Sequence, residues 1–484
     1  FCMTIVLTIL VYFAALYLFS RIMTGRKANN ETFFRGNRKS PWYMVAFGMV
    51  GASISGITFV SVPGMVMKMD MTYMQTCIGF IFGYFAIAFL LLPVYYRNNL
   101  TTIYSYLGNR LGRRSYKTGA WYFLLSKIIG ASVRFYVVCI ILQDYVFTNI
   151  GISFEITVVI MVALIWLYTR KGGIKTLVWT DTFQTTCLFG ALILIIVNVA
   201  SSLNMSLPEA FHAINDNSMS RIFVFDDPKS TQYFWKQFLS GIFIVIVMTG
   251  LDQDMMQKNL TCKSLREAQK DMCTYGFAFV PANALFLGLG ILLVLLASKT
   301  GSPLPSSGDS LLPMFAATGY LGETVVILFT IGIVAASFSS ADSALTALTT
   351  CFCVDVMEKA DDEKLRRKTH VILCSIFVVF ILLFKMVNST SVIDAIYIIC
   401  SYTYGPLLGL FAFAILCPRL RPMDKAVPYI AIASPIVCYA TDYLTQMLWG
   451  YKFGYELLML NGTLTFIGLL CSRYIQKAAY QTPS

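Results

Sequence analysis

Ser337, Ser339, Ser340, Asp342 and Ser343 crowd into seven positions of an otherwise apolar stretch, residues 325–356, long enough to cross a bilayer. Hydroxyl and carboxylate groups are costly in hydrocarbon, so they should face a protein interior or a wet cavity. On a helix, Ser339, Asp342 and Ser343 stand at i, i+3 and i+4 and share one face. Such an array of hard oxygens suits a cation such as Na⁺. The same residues also suit close helix packing, because serines and other small residues line many transmembrane interfaces.

Other polar groups lie at membrane depth. In KGGIKTLVWTDTFQTT, Asp181 sits about two helical turns beyond a basic loop. A buried carboxylate needs a partner: a cation, a bound proton or Lys127. Lys127 and Arg134 are at i and i+7 of one apolar span, hence on one face. Arg134 is too deep to snorkel. It either pairs with Asp181, Asp252 or Asp342, or binds a carboxylate on a solute, to which a planar guanidinium is suited.

These groups need elements to position them, and two spans are interrupted. MVAFGMVGASISGITFVSVPGMV holds Gly48, Gly51, Gly56 and Gly64 with Ser53, Ser55, Thr58 and Pro63. This composition predicts a helix that unwinds at mid-membrane and frees backbone carbonyls, or a helix packed closely through small residues. VMTGLDQDMMQK carries a related interruption around Gly250, five spans later. Broken helices in corresponding positions of two halves point to an inverted-repeat transporter with its site at the midplane.

The composition agrees with a polytopic membrane protein. The 484 residues are 57% hydrophobic and 13% charged, with mean hydropathy +0.68, about half the charge density of a soluble domain. Apolar runs long enough to span occur thirteen times: 2–20, 42–67, 75–95, 119–146, 152–168, 176–200, 233–256, 272–297, 323–356, 370–387, 391–416, 428–448 and 455–472. Of 37 Lys and Arg residues, 28 fall in the odd-numbered connections and the tail, seven in the alternate connections, and Lys127 and Arg134 inside a span. By the positive-inside rule the N-terminus is outside and the C-terminus cytoplasmic. The net charge of +12 is thus a topology signal, and nucleic acid is not an expected partner. Thirteen scattered cysteines without a paired CxxC set predict neither a zinc site nor a disulfide framework. His212 lies outside the apolar runs and His370 at the very start of one, which argues against histidine metal or proton chemistry. The chain opens on Phe1, which suggests a preceding piece, and no signalling domain is expected after residue 472. The short tail favours a bacterial inner membrane.

KGGIKTLVWTDTFQ, GASISGITFVSVPG, SSADSALTALTT and DQDMMQKNLTCKSLREAQ together resemble the sodium/solute symporter family, from about residue 30 to 420. The resemblance implies an all-α, LeuT-like five-plus-five inverted repeat: an extra helix and loop (1–40), core helices one to five (41–200), core helices six to ten (201–417), and two peripheral helices with a tail (418–484). It also implies a Na⁺ site formed by the carbonyls of Gly51, Ile54 and Ala336 and the hydroxyls of Ser339 and Ser340. A second Na⁺ site, found in some members, would use Asp181, Ser339, Asp342 and Ser343, with Asp342 replacing a serine. At positions where the family's galactose symporters contact sugar, this chain has Val245, Met248, Thr249 and about Ile398, which lack most partners for sugar hydroxyls. It is similar to the family's sialic acid transporters at Ser55, Thr58 and Arg134, with Gln75 a fourth candidate.

The expected function is therefore Na⁺-coupled import of a small, anionic solute of sialic-acid-like or other carboxylate type by a monomer embedded in the lipid bilayer. A Na⁺/sugar or polyol symporter is the alternative. An ion channel is disfavoured because no pore ring or filter sequence is visible. No enzyme is expected, because Ser339 and Asp342 have no histidine partner or recognisable catalytic motif.

Overall fold

A computed structural model describes residues 2–24, 29–387 and 392–481. Eight single helices among them are long and apolar enough to cross a membrane, and two bent pairs bring the number to ten. Three expected spans fall outside the ten. Phe154–Thr169 is a shorter apolar helix, the described part of the expected 391–416 span is divided into Val392–Thr403 and Gly405–Leu416, and Val427–Trp449 is helical. The basic TRKGGIK connection does not leave the helix Phe154–Ser202 as a loop. It bends it at Gly173, where φ is +48° and an added Cβ would lie 2.5 Å from the Phe33 ring. Glycine is required there for both conformation and space.

Both interrupted spans are broken. Trp42–Ser53 and Gly56–Met69 meet at 61°, and residues 234–250 meet Gln253–Asn259 at 69°. In the first, Ile54 (φ −78°, ψ 81°) and Ser55 (φ −70°, ψ 169°) leave helical geometry. The Ser55 N–H turns to the Ser53 carbonyl, so the Gly51 carbonyl loses its helical partner. In the second, a π turn over Ile246–Gly250 leads to Leu251 and an extended Asp252. Carbonyls freed there are capped: Tyr95 Oη donates to Gly250 at 2.7 Å and Tyr104 Oη to Leu251 at 2.8 Å. At the first break Ser340 Oγ donates to the Ala52 carbonyl at 2.9 Å.

The helix Glu323–Cys351 holds the centre, packing against Phe154–Ser202, Arg113–Leu142 and Gly56–Met69. Its polar stripe is buried from Ser337 to Ser343 save for the partly covered Ser340. Gly56 lets it approach the break, because a Cβ at Gly56 would sit 2.3 Å from Ser337 Oγ. Gly64 and Gly290 do the same for backbones: their added Cβ atoms would meet the carbonyl oxygens of Gly308 and Pro63 at 2.0 and 1.9 Å.

Candidate solute and cation site

A cavity lies between the two broken spans and the helix Arg113–Leu142, with Ser55, Thr58, Arg134, Thr249, Tyr275 and Tyr404 in its wall. Ser55 precedes the first helical turn after the break, yet its side chain makes no capping bond. Its hydroxyl is left for the cavity. Ser53 is instead hydrogen-bonded to Tyr275 across it.

Half-buried Arg134 faces this space. The acids proposed to pair with it are engaged elsewhere. Asp252 takes Lys127 Nζ at 3.2 Å and Tyr404 Oη at 2.6 Å, and caps the Asp254 N–H at 2.9 Å. Lys127 also binds Asp254 at 2.6 Å. Asp342 accepts from Tyr168 Oη at 2.6 Å and Ser343 Oγ at 3.1 Å. An Asp342–Arg134 pair is therefore absent among the described residues.

Asp181 is fully buried. Ser339 Oγ donates to its Oδ1 at 2.7 Å, and its Oδ2 lies 2.7 Å from Lys258 Nζ. Lys258, rather than the Lys127 considered from sequence, supplies the counter-charge. Its short helix Gln253–Asn259 turns inward after the second break and is buried throughout. The Asp181 Oδ2–Lys258 contact is close but lacks hydrogen-bond alignment. The span expected over 233–256 ends two residues before Lys258 and so puts it in a basic connection. The available signal was its place at the end of a broken span, where an unmatched Asp181 needed a cation.

Of the residues proposed for the first Na⁺ site, Gly51 and Ile54 lie at the first break and Ser340 reaches it from the facing helix. Gly51 packs so closely on the Asp181 helix that an added Cβ would lie 1.8 Å from Thr185 Oγ1. Ile54 is the non-helical residue, and Ser340 is already bonded to the neighbouring Ala52 carbonyl. Ala336 and Ser339 are buried one turn apart on the facing helix. Ser339 is common to both proposed cation sites, and here its hydroxyl is turned to Asp181.

Two expectations need correction. Gln75 is buried outside the cavity wall. Its amide donates to the Gln232 carbonyl at 2.9 Å and accepts from the Val224 N–H at 3.0 Å, pinning the 222–233 loop. Ile398 is 49% exposed, and Ile396 and Cys400 line the cavity in its place. Val245, Met248 and Thr249 do line it.

Known proteins share this fold. The chain is 24% identical to the sodium/sialic acid symporter SiaT of Proteus mirabilis, over 94% of this chain and 93% of that protein. It is 25% identical to the sodium/sialic acid symporter NanT of Aliivibrio fischeri, over 90% and 88%. The mouse sodium-coupled monocarboxylate transporter 2 is 25% identical, over 84% and 68%. Among solved structures, a substrate-bound, outward-open Na⁺-coupled sialic acid symporter superposes with a TM-score of 0.82 at 20% identity, covering 98% of both chains. The transporter Mhp1 in a closed conformation gives 0.59 at 16% identity, covering 94% of this chain and 96% of that one. The LeuT-like fold follows from these superpositions. The model of the sodium:solute symporter family matches residues 33–423, and the chain belongs to that family, with Na⁺ as its coupling ion.

Proposed function

We propose that this protein imports a small organic anion, sialic-acid-like or another carboxylate, together with Na⁺ by alternating access. The observation that carries the solute class is Arg134: a guanidinium in the cavity wall whose candidate protein partners are all held by other groups. A cation left without a carboxylate in a low-dielectric site favours a ligand that brings one. Ser55 and Thr58 line the same cavity as further donors. The relatives support the class, since sialic acid and monocarboxylates in their names are acids. Val245 and Met248 on the wall disfavour galactose-like recognition of an uncharged sugar through its ring hydroxyls.

The Gly51, Ile54 and Ala336 carbonyls with the Ser339 and Ser340 hydroxyls form the Na⁺ site in this reading. The ion would take up carbonyls freed at the first break and favour the outward-open form that admits solute. Lys258 stands where a second Na⁺, held by Asp181, Ser339, Asp342 and Ser343, was considered. We assign one Na⁺ per anion, with the Lys258 ammonium as the fixed second charge. The basic connections and C-terminus face the cytoplasm in a thirteen-span monomer of the inner membrane.

The test is uptake of labelled N-acetylneuraminate into proteoliposomes under an inward Na⁺ gradient, against a K⁺ control. Na⁺-dependent uptake is expected. Its absence, with Na⁺ still stabilising the protein thermally, would retain the ion site and reject this solute.

A further inference from the structure

A second cavity, of about 830 Å³, lies away from the transport site between the first helix, Cys2–Thr24, the bend before Gly173 and the start of the helix Glu363–Val387. Five cations line it: Arg21, Arg170, Lys171, Arg366 and Arg367. No carboxylate is in the wall among the described residues. Arg367 reaches Glu363 at 3.3 Å, Arg21 stacks on Tyr17 and Arg170 on Trp166.

Arg366 differs from these. It is 3% exposed, its guanidinium lies 4.5 Å over the Phe33 ring, and its Nε and Nη1 have no hydrogen-bond partner among the described residues. A buried guanidinium with two idle donors is unfavourable by itself. It sits in a cavity whose other charges have the same sign, so the missing partner is an anion. The fork geometry of arginine and the cation count fit a phosphate oxyanion better than a single carboxylate.

We infer that this cavity binds a phosphate group, and that the phosphate belongs to an anionic lipid headgroup. Two observations favour the lipid. Ile22 and Val371 line the cavity yet are 73% and 46% exposed, offering an apolar strip for an acyl chain beside the cations. All five cations come from the basic connections, the side on which anionic headgroups meet such pockets. The Arg170–Lys171 pair holds the phosphate between the first helix and the Glu363–Val387 helix, with the Arg366 charge behind it.

The experiment is thermal stabilisation of the purified full chain in detergent, titrated with phosphatidylglycerol, phosphatidylcholine or inorganic phosphate. Phosphatidylglycerol should stabilise and phosphatidylcholine should not. Arg366→Gln should weaken the apparent affinity for phosphatidylglycerol about fivefold, and Arg170→Gln with Lys171→Gln more than tenfold, since each cation near a headgroup is worth roughly that factor. The double variant alters partly exposed residues and keeps the test valid should Arg366→Gln not fold. Equal stabilisation by inorganic phosphate at matched phosphate concentration would retain the anion site and overturn the lipid as its source. Equal response to both lipids without any phosphate effect, or an unchanged phosphatidylglycerol affinity in the double variant, would overturn the site. None of these readouts depends on the transported solute.

Discussion

Arg134 and Lys258 are both cations inside a membrane protein, and their surroundings give them opposite tasks. Lys258 is locked against Asp181 at 2.7 Å, whereas Arg134 faces the cavity. Arg134→Gln should therefore cost about 10- to 100-fold in solute affinity, the usual worth of a charge-assisted hydrogen bond. Na⁺-dependent thermal stabilisation should be unchanged. Retained affinity in solute-binding titrations would mark the arginine as structural. Asp181→Asn or Lys258→Met alone strands a buried charge and should destabilise by about 3–5 kcal/mol. Combining them should recover more than half of that loss in the midpoint of thermal unfolding, and simple additivity would deny the pairing.

At the scale of helices, the interruptions were legible in the sequence but their centres were not. Glycines advertised the first break, yet the non-helical residues are Ile54 and Ser55. Gly48, Gly51 and Gly64 serve closeness: at Gly48 an added Cβ would stand 3.0 Å from Asp181 Cβ, and at Gly51 and Gly64 it would clash with Thr185 and Gly308. A glycine needed for proximity and one needed for conformation look alike in a sequence, because proximity is set by a distant partner. Lys258 was misread for a related reason, since only the 69° bend carries a loop-like QKN into the core. The polar stripe of Glu323–Cys351 was readable because its period is local. Backbone closeness also gives a stability prediction. Gly290→Ala places a methyl 1.9 Å from the Pro63 carbonyl, must push two central helices apart, and should cost about 1–3 kcal/mol. Gly190→Ala, with nothing within 4 Å, should be neutral or slightly stabilising. Equal melting temperatures for the two variants would refute the packing argument.

For the molecule as a whole, a tethered ammonium changes the electrical accounting of a cycle. One Na⁺ with one monoanion carries no net charge, so a valinomycin-imposed potential should leave accumulation unaltered and the Na⁺ Hill coefficient should be about 1. Two Na⁺ per anion would instead add about 2.3 kcal/mol per 100 mV, roughly 50-fold in accumulation. A potential-driven rise of that size would mean that Lys258 leaves Asp181 during transport. The two breaks also differ in a way that concerns local stability. Tyrosines already cap the Gly250 and Leu251 carbonyls, whereas the Gly51 carbonyl has lost its helical partner and an ion can take it up. Amide hydrogen exchange around residues 54–58 should therefore slow when K⁺ is replaced by Na⁺, while residues 248–254 keep their rates. Salt would then be sensed by one half of a nearly symmetric scaffold, the other being already saturated by its own side chains.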